Sequence, residues 1–425
     1  MLIKDARVID PSTDTDMICD IRISDDTIDA LGKGLTADDA EILDASGLIA
    51  APGFVDVHAH FRDPGQTEKE TLHTGALAAA AGGYTSVVCM ANTVPAVDNA
   101  EILTDILDRA GKEKIHIYQT ASVTKGRGGK EPVDMDLLLK YGAAGFTDDG
   151  SPITDGALVR NAMIKAAGLG SVLSFHEEDP AYVKEAGINA GRIAESMGLH
   201  GADRKAEYTM VERDLKTALE TGAKIDIQHV SARETVQIIR EYKKNDTSGL
   251  IHAEATPHHF SLTEEAVSEH GSLAKVNPPL RTEDDRQAVI EGLSDGTLDL
   301  IATDHAPHKA GEKALAFVKA PSGMTGLETA LALGITNLVE TGRISVTKLI
   351  ELMSVNPARL YGLKAGSLKK GSPADIVIFD PEMSWTVDEA NMFSKSLNSP
   401  FIGMSLKGRT IYTISDGKVV YKLNQ

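Results

Sequence analysis

Gly53-Phe-Val-Asp-Val-His58-Ala-His60-Phe-Arg62 sets the fold class. A short apolar run with β-branched valines ends abruptly in ionisable residues, the pattern of a buried strand whose far end meets polar space. In an open doubly wound sheet a glycine-rich phosphate loop would follow the first strand. His-Ala-His-Phe-Arg stands there instead. Side chains at i and i+2 share one face of a strand, so His58 and His60 converge toward one point.

The same event recurs downstream. Thr85–Met90 leads to Asn92, Ile115–Tyr118 to Thr120 and Ser122, and Ala143–Phe146 to Asp148 and Asp149. Ser171–Phe175 leads to His176, Lys224–Ile227 to Gln228 and His229, Ile251–Ala255 to Thr256 and His258, and Leu298–Ala302 to Asp304. Helical stretches fill intervals: Lys69–Ala81 before Gly82-Gly83, Asp98–Ala110 before Gly111, Glu207–Thr221 and Thr235–Lys244. Parallel strands need crossovers of about a dozen residues or more, and these intervals supply them. The repeated strand–helix unit predicts an α/β fold, a (β/α)8 TIM-type barrel over residues 51–360.

The ends read differently. Residues 1–50 carry alternating strands and acidic turns at Asp14, Asp16, Asp25 and Asp26, with no long helix. Asn356 and Pro357 signal a helix as cap and first helical residue. Beyond it, residues 361–425 return to strands: Pro373–Phe379, then Thr410–Ile414 and Lys418–Tyr421 as a hairpin across Ser415-Asp416-Gly417. Neither end has enough strands to be stable alone, so the two are expected to pair into one small β-sandwich-like domain.

Composition narrows the function. The chain has 425 residues, 42% hydrophobic and 25% charged, with 43 Lys and Arg against 62 Asp and Glu for a net charge of −19. Such acidity argues against nucleic acid or an anionic membrane as partner. Cys19 and Cys89 are the only cysteines, too few for a disulfide framework or a thiolate zinc site. The N-terminus alternates apolar and charged residues, unlike a signal peptide, and no apolar run approaches the ~18 residues of a membrane span, so a cytoplasmic protein is expected.

An isolated His-x-His is weak evidence, since such pairs are often merely hydrogen-bonded. Here it is joined at other strand ends by Asp149, His176, His229 and Asp304, where a barrel of this type carries its active site. Four imidazoles and two carboxylates suit zinc. Six ligands exceed what one catalytic zinc takes, so one or two ions per subunit are expected; two, roughly 3.5–4 Å apart with a bridging hydroxide, would use them all. Asp148-Asp149-Gly150 alone would read as a turn; among these histidines Asp149 reads as the ligand spanning both metals, with Asp148 turned away. Asp304 has a second use, as the carboxylate that accepts the nucleophile's proton and passes it to the leaving nitrogen.

Arg62 continues the face of His58 and His60 and suits a substrate carboxylate, with a surface salt bridge as the plainer alternative. Asn92 could donate to an anion or cap its loop, and His308, after a proline turn, is a second anion contact. His305 faces differently and reads as structural. His258 and His259 read as packed rim residues ahead of ligands. His73, His116, His200, His252 and His270 lack ligand spacing.

Taken together these residues resemble the amidohydrolase superfamily, and more closely the bacterial dihydroorotases with an aspartate metal bridge. The most specific pieces are Gly53–Gly65, Cys89-Met-Ala-Asn-Thr93, Phe146-Thr-Asp-Asp-Gly150, Lys275-Val-Asn-Pro-Pro-Leu-Arg281, Thr303-Asp-His-Ala-Pro-His308 and Ala320–Glu328. The resemblance implies His58, His60, Asp149, His176, His229 and Asp304 as zinc ligands, Asp149 as bridge and Asp304 as proton shuttle. It also implies Arg62, Asn92 and His308 on the substrate carboxylate, Asn277 and the backbone around Ser322-Gly323 on the pyrimidine ring, His60 close to the substrate, and a covering loop over Lys309–Lys319. The implied reaction interconverts N-carbamoyl-L-aspartate and L-dihydroorotate in pyrimidine (UMP) biosynthesis, with a homodimer and association with aspartate transcarbamoylase as the partners to expect. Hydantoinases, dihydropyrimidinases and allantoinases share the His-x-His, but they usually bridge their metals with a carboxylated lysine, which Phe146-Thr-Asp-Asp lacks. An inactive scaffold subunit would be expected to have lost ligands, and all six positions are filled here.

Overall fold

The computed structural model describes residues 1–36 and 41–424; residues 37–40 and 425, which fall in the two predicted terminal β segments, lie outside the described residues. From the N-terminus come β1 (Leu2–Asp10), β2 (Thr15–Ser24), β3 (Thr27–Gly32), β4 (Ile42–Asp44) and β5 (Ile49–Pro52). β1, β2 and β3 pair antiparallel, while β4 and β5 both lie parallel to β1.

The middle of the chain supplies β6 (Phe54–Ala59), β7 (Tyr84–Cys89), β8 (His116–Gln119), β9 (Val172–Phe175), β10 (Lys224–Ile227), β11 (Ile251–Ala255) and β12 (Leu300–Ile301). β6, β7 and β8 pair in parallel, as do β9 through β12. Parallel bridges Ala121↔Phe146 and Phe146↔Leu173 join the two groups, and Ala59↔His305 returns to β6. The pairings therefore run in a ring. Strands covered on both faces read as unbroken apolar runs, which is why they stood out.

β13 (Ile376–Thr386), β14 (Ser405–Ser415) and β15 (Lys418–Lys422) complete the other sheet, in the order β15-β14-β13-β5-β1-β2-β3 with β4 on β1. Strands from both ends thus share one eight-stranded sheet. Asp416 and Gly417 turn the β14–β15 hairpin with φ of 46° and 71°, the left-handed pair that such a two-residue turn requires. Sheet and ring meet at Phe54, whose ring lies 5.7 Å from Tyr84 and 6.3 Å from Phe379 of β13.

Several expected elements are corrected. Ala143–Phe146 is not a regular strand: only Phe146 bridges, although Phe146 N–H donates to Val172 O at 3.0 Å and Ala144 N–H to Gln119 O at 2.8 Å. The run at Leu298–Ala302 shrinks to Leu300–Ile301. Asn356 does not cap a helix, because its backbone is helical (φ −67°, ψ −47°) and the helical run begins at Val346 under the Ser345 cap. Its side chain instead donates to Asp299 O at 3.0 Å. The helix predicted from Lys69 starts at Leu72, behind a Thr71–Thr74 capping box. Lys69 and Glu70 are buried, 6% and 0% exposed, and turn inward.

One turn tests how tightly the ring's rim is built. Gly65 has φ +92°, and a Cβ there would lie 1.8 Å from Val94 O. Gly65→Ala is expected to cost about 1–3 kcal/mol, seen as a lower urea midpoint. An unchanged midpoint would mean that this turn shifts freely.

Candidate active site

The ends of the parallel strands meet around a cavity of about 180 Å³ lined by His60, Arg62, Asn92, Asp149, Gly150, His176, His229, Asn277, Asp304, Ala306, His308, Ser322 and Gly323. That is smaller than the roughly 300–1,000 Å³ of drug-sized sites, so its occupant is a small molecule. Every residue named from sequence as a site candidate lines this space except His58, which is fully buried behind it, with Nε2 3.5 Å from Oδ1 of Asp149 in the lining.

His58 sits on β6, His60 just beyond it, His176 directly after β9, His229 two residues past β10 and Asp304 past β12. Their ligand atoms converge. His58 Nε2 lies 3.5 Å from Asp149 Oδ1, His176 Nδ1 3.6 Å from that same oxygen, and His60 Nε2 3.6 Å from Asp149 Oδ2. Asp304 Oδ1 is 3.0 Å from His60 Nε2 and 3.7 Å from His58 Nε2. His176 Nδ1 and His229 Nε2 stand 2.8 Å apart. Two triads, His58–His60–Asp149 and Asp149–His176–His229, each have ligand atoms within 4.8 Å, with Asp149 in both. His58 Nε2 is buried and has no hydrogen-bond partner, although it points into this cluster. A buried donor set with an orphaned imidazole nitrogen fits a divalent cation with nitrogen and oxygen ligands.

Charge is densely packed here. Burial opposes the ionisation of Asp149, yet the close approach of His176 and His58 holds its pKa well below the usual carboxylate range. Asp304 is likewise lowered against burial, by His60 and the charge of His58. Burial pulls His176 down, but its contacts with Asp149 and Glu178 raise it to about 9. His229 is pushed well below its ordinary value by burial and by the neighbouring His176 and His58.

The supports are specific. Glu254 of β11 accepts from His58 Nδ1 at 2.9 Å, leaving Nε2 directed at Asp149, the carboxylate–histidine pairing that orients a metal-binding imidazole. Asn92 Oδ1 takes His60 Nδ1 at 2.9 Å while its amide donates to Asp149 Oδ2 at 2.8 Å. Asn92 is thus tied to two of the clustered residues as well as lining the cavity. Asp148 turns away, accepting from Val123 N–H at 2.8 Å and Thr124 N–H at 3.1 Å.

Arg62 enters the cavity by a different route from the one its spacing implied. β6 ends at Ala59, and Arg62 has φ +57°, so it does not continue a strand face. His229 (φ 35°) and Asp304 (φ 46°) are also left-handed. Non-glycine residues rarely adopt that region, and their grouping at one cavity marks a functional site. Asn277 lines the cavity with a buried, unpartnered Oδ1. The Gly323 N–H is already donated to Lys275 O at 2.8 Å, and Ser322 O accepts from His308 Nε2 at 2.9 Å.

Sequence reasoning missed Asn398. Its Oδ1 accepts from His308 N–H at 2.8 Å, and its amide donates to Ala306 O and Gly323 O, both at 3.1 Å. Nothing in its local sequence marks it. His305, buried between Glu70 Oε2 (3.3 Å) and Gly326 N–H (3.2 Å), is structural as expected. His116, which lacked ligand spacing, pairs with Asp375 at 3.1 Å and joins β8 to the terminal sheet.

Comparison with known proteins matches residues 49–420 to a family model described as the amidohydrolase family. The chain is 53% identical over 422 residues to a dihydroorotase of Clostridioides difficile (strain 630), with 99% of each chain covered. It is 50% identical over 422 residues to a dihydroorotase of Lactococcus lactis subsp. lactis (strain IL1403), again with 99% of each covered. Among solved structures, the L-hydantoinase (dihydropyrimidinase) from Arthrobacter aurescens superposes with TM-score 0.88 at 24% identity, covering 100% of this chain and 96% of that one. Dihydropyrimidinase from Brevibacillus agri NCHU1002 gives TM-score 0.87 at 24% identity, covering 99% and 95%. At such identity the structural likeness speaks for the fold alone. Among the described residues no helix is long and apolar enough to cross a membrane.

Proposed function

Since the chain belongs to the amidohydrolase family and, within it, to the bacterial dihydroorotases, we propose that it interconverts N-carbamoyl-L-aspartate and L-dihydroorotate with zinc as cofactor. The observation that carries this reading is a single cavity lined both by a histidine–carboxylate cluster and by Arg62, His308 and Asn277, groups suited to a carboxylate-bearing amide ring. We read the ring of parallel pairings as a (β/α)8 TIM-type barrel of residues 51–360, with residues 1–50 and 361–425 forming the small β domain. The bridge from Ala59 back to His305 supports that closure.

In this reading His58, His60, Asp149, His176, His229 and Asp304 would hold the zinc, with Asp149 shared between the two ligand groups, one oxygen toward His58 and His176 and the other toward His60. When bound, the ions supply a water of lowered pKa and polarise the amide carbonyl. Arg62 and His308 hold the substrate carboxylate and so fix the ring's orientation. In ring opening, water adds to the amide carbonyl, and its proton passes to Asp304. The ring C–N bond then breaks, and Asp304 returns that proton to the departing nitrogen. Ring closure reverses each step.

The test is turnover of L-dihydroorotate, hydantoin and dihydrouracil by zinc-replete protein. Dihydroorotate is expected to be hydrolysed and the other two not. A chelator is expected to abolish turnover, and zinc to restore it. Undetectable dihydroorotate turnover at full metal content would reject the proposal.

A further inference from the structure

His308 is surrounded by groups that act on its two nitrogens differently. Nε2 lies 2.9 Å from Ser322 O and 3.4 Å from an Arg62 guanidinium nitrogen. Nδ1 lies 3.4 Å from Lys69 Nζ and 3.7 Å from Glu312 Oε2. Lys69 is 6% exposed and pairs with Glu312 Oε1 at 3.2 Å. An ammonium has only hydrogens to offer, so the imidazole nitrogen facing it must present a lone pair. Were Nδ1 to carry the hydrogen, it would point at Lys69 or turn toward Glu312.

We propose that Lys69 is a positioning residue: by donating to Nδ1 of His308 it holds that imidazole as the tautomer with its hydrogen on Nε2. The consequence reaches Arg62. With Nε2 carrying a hydrogen, which Ser322 O accepts at 2.9 Å, Arg62 cannot donate to it, and its guanidinium nitrogen 3.4 Å away keeps its N–H for a ligand. A guanidinium left free in this way suits a carboxylate. With the other tautomer Nε2 would be an acceptor, and Arg62 would donate to His308 instead of to the ligand. The imidazole stays neutral, because burial and the cations Arg62, Lys69 and Lys313 push its pKa down to about 2. Lys69 therefore selects between tautomers and does not set the charge. Glu312, in the short helix Ala310–Lys313, competes for Nδ1 and would take it if Lys69 were lost.

The role in binding rests on the dihydroorotase reading, but the tautomer does not. It is measured on the zinc-replete protein without substrate, by nitrogen-15 histidine spectra with His308 assigned through H308Q. The wild type is expected to show Nδ1 bare and Nε2 protonated, and Glu312→Gln to leave this unchanged. Lys69→Met, close in shape and without a donor, is expected to move the proton to Nδ1. It should also raise KM for dihydroorotate about tenfold, the scale of one lost charge-assisted hydrogen bond, with kcat within about twofold. Lys69→Arg, which restores a donor, should recover most of the loss. A wild-type spectrum with Nδ1 protonated overturns the proposal whether or not Lys69→Met folds. So does a Lys69→Met variant with unchanged tautomer and KM. A correct tautomer in a protein that does not turn over dihydroorotate would remove the reading of function and leave the lock standing.

Discussion

Asp304→Asn is expected to lower kcat about a thousandfold while leaving KM for dihydroorotate within a few fold. Proton relay by a positioned carboxylate is worth roughly 10²–10⁴ in rate, and the amide cannot accept and return the proton. The substitution is otherwise gentle. Asparagine is nearly isosteric and tolerates the left-handed backbone (φ 46°) that Asp304 adopts. Its carbonyl oxygen can still receive His60, now 3.0 Å from Oδ1. Steady-state kinetics with metal analysis of the same sample separates the two roles given to this residue. Full zinc with collapsed kcat isolates the relay, whereas lost zinc points to ligation. Near wild-type turnover would end the relay assignment.

Arg62→Ala should act on the other kinetic constant. Burial pulls the guanidinium's pKa down while the carboxylates of Asp304 and Asp149 support its charge. Removing one partner of the charge pair proposed between Arg62 and the substrate carboxylate costs about 2–5 kcal/mol, which puts the rise in KM at about a hundredfold, with kcat much less affected. Stability should change little, since alanine and arginine share the same backbone penalty at φ +57°. Arg62→Lys should recover only part of the binding, because a point charge does not reproduce the planar fork. Equal falls in kcat for both variants, with KM unmoved, would show that Arg62 does not hold the ground-state substrate.

The ends of the parallel strands were legible because two rules coincide there. Strands buried on both faces read as apolar runs, and polar residues at their carboxyl ends project into one space. His58, His60, His176, His229 and Asp304 could be found that way. The acids inside those runs, Asp56 in β6, Asp226 in β10 and Glu254 in β11, drew no role from their spacing. Their partners lie far away in the chain: Glu254 takes His58 across 196 positions and Asp56 takes Thr303 N–H across 247. Lys69 looked like a helix residue because helical propensity is local, whereas its contact with His308 spans 239 positions. Asn398 gave no sign at all, since its hydrogen bonds go to backbone that any sequence would carry. The left-handed turn at Arg62 was hidden as well, because arginine is not a residue whose presence announces such a conformation.

The placement of β5 between β1 and β13 bears on how the molecule is made. While a ribosome is still extending the chain, β1 to β5 have emerged but one border of their sheet has no neighbour. That border stays open through the synthesis of some three hundred further residues, until Ile376–Thr386 appears. Exposed strand borders recruit other strands, so this interval is when a nascent copy is most prone to associate with another. Ile376–Thr386, translated long after β5, is therefore the strand that closes that vulnerable border.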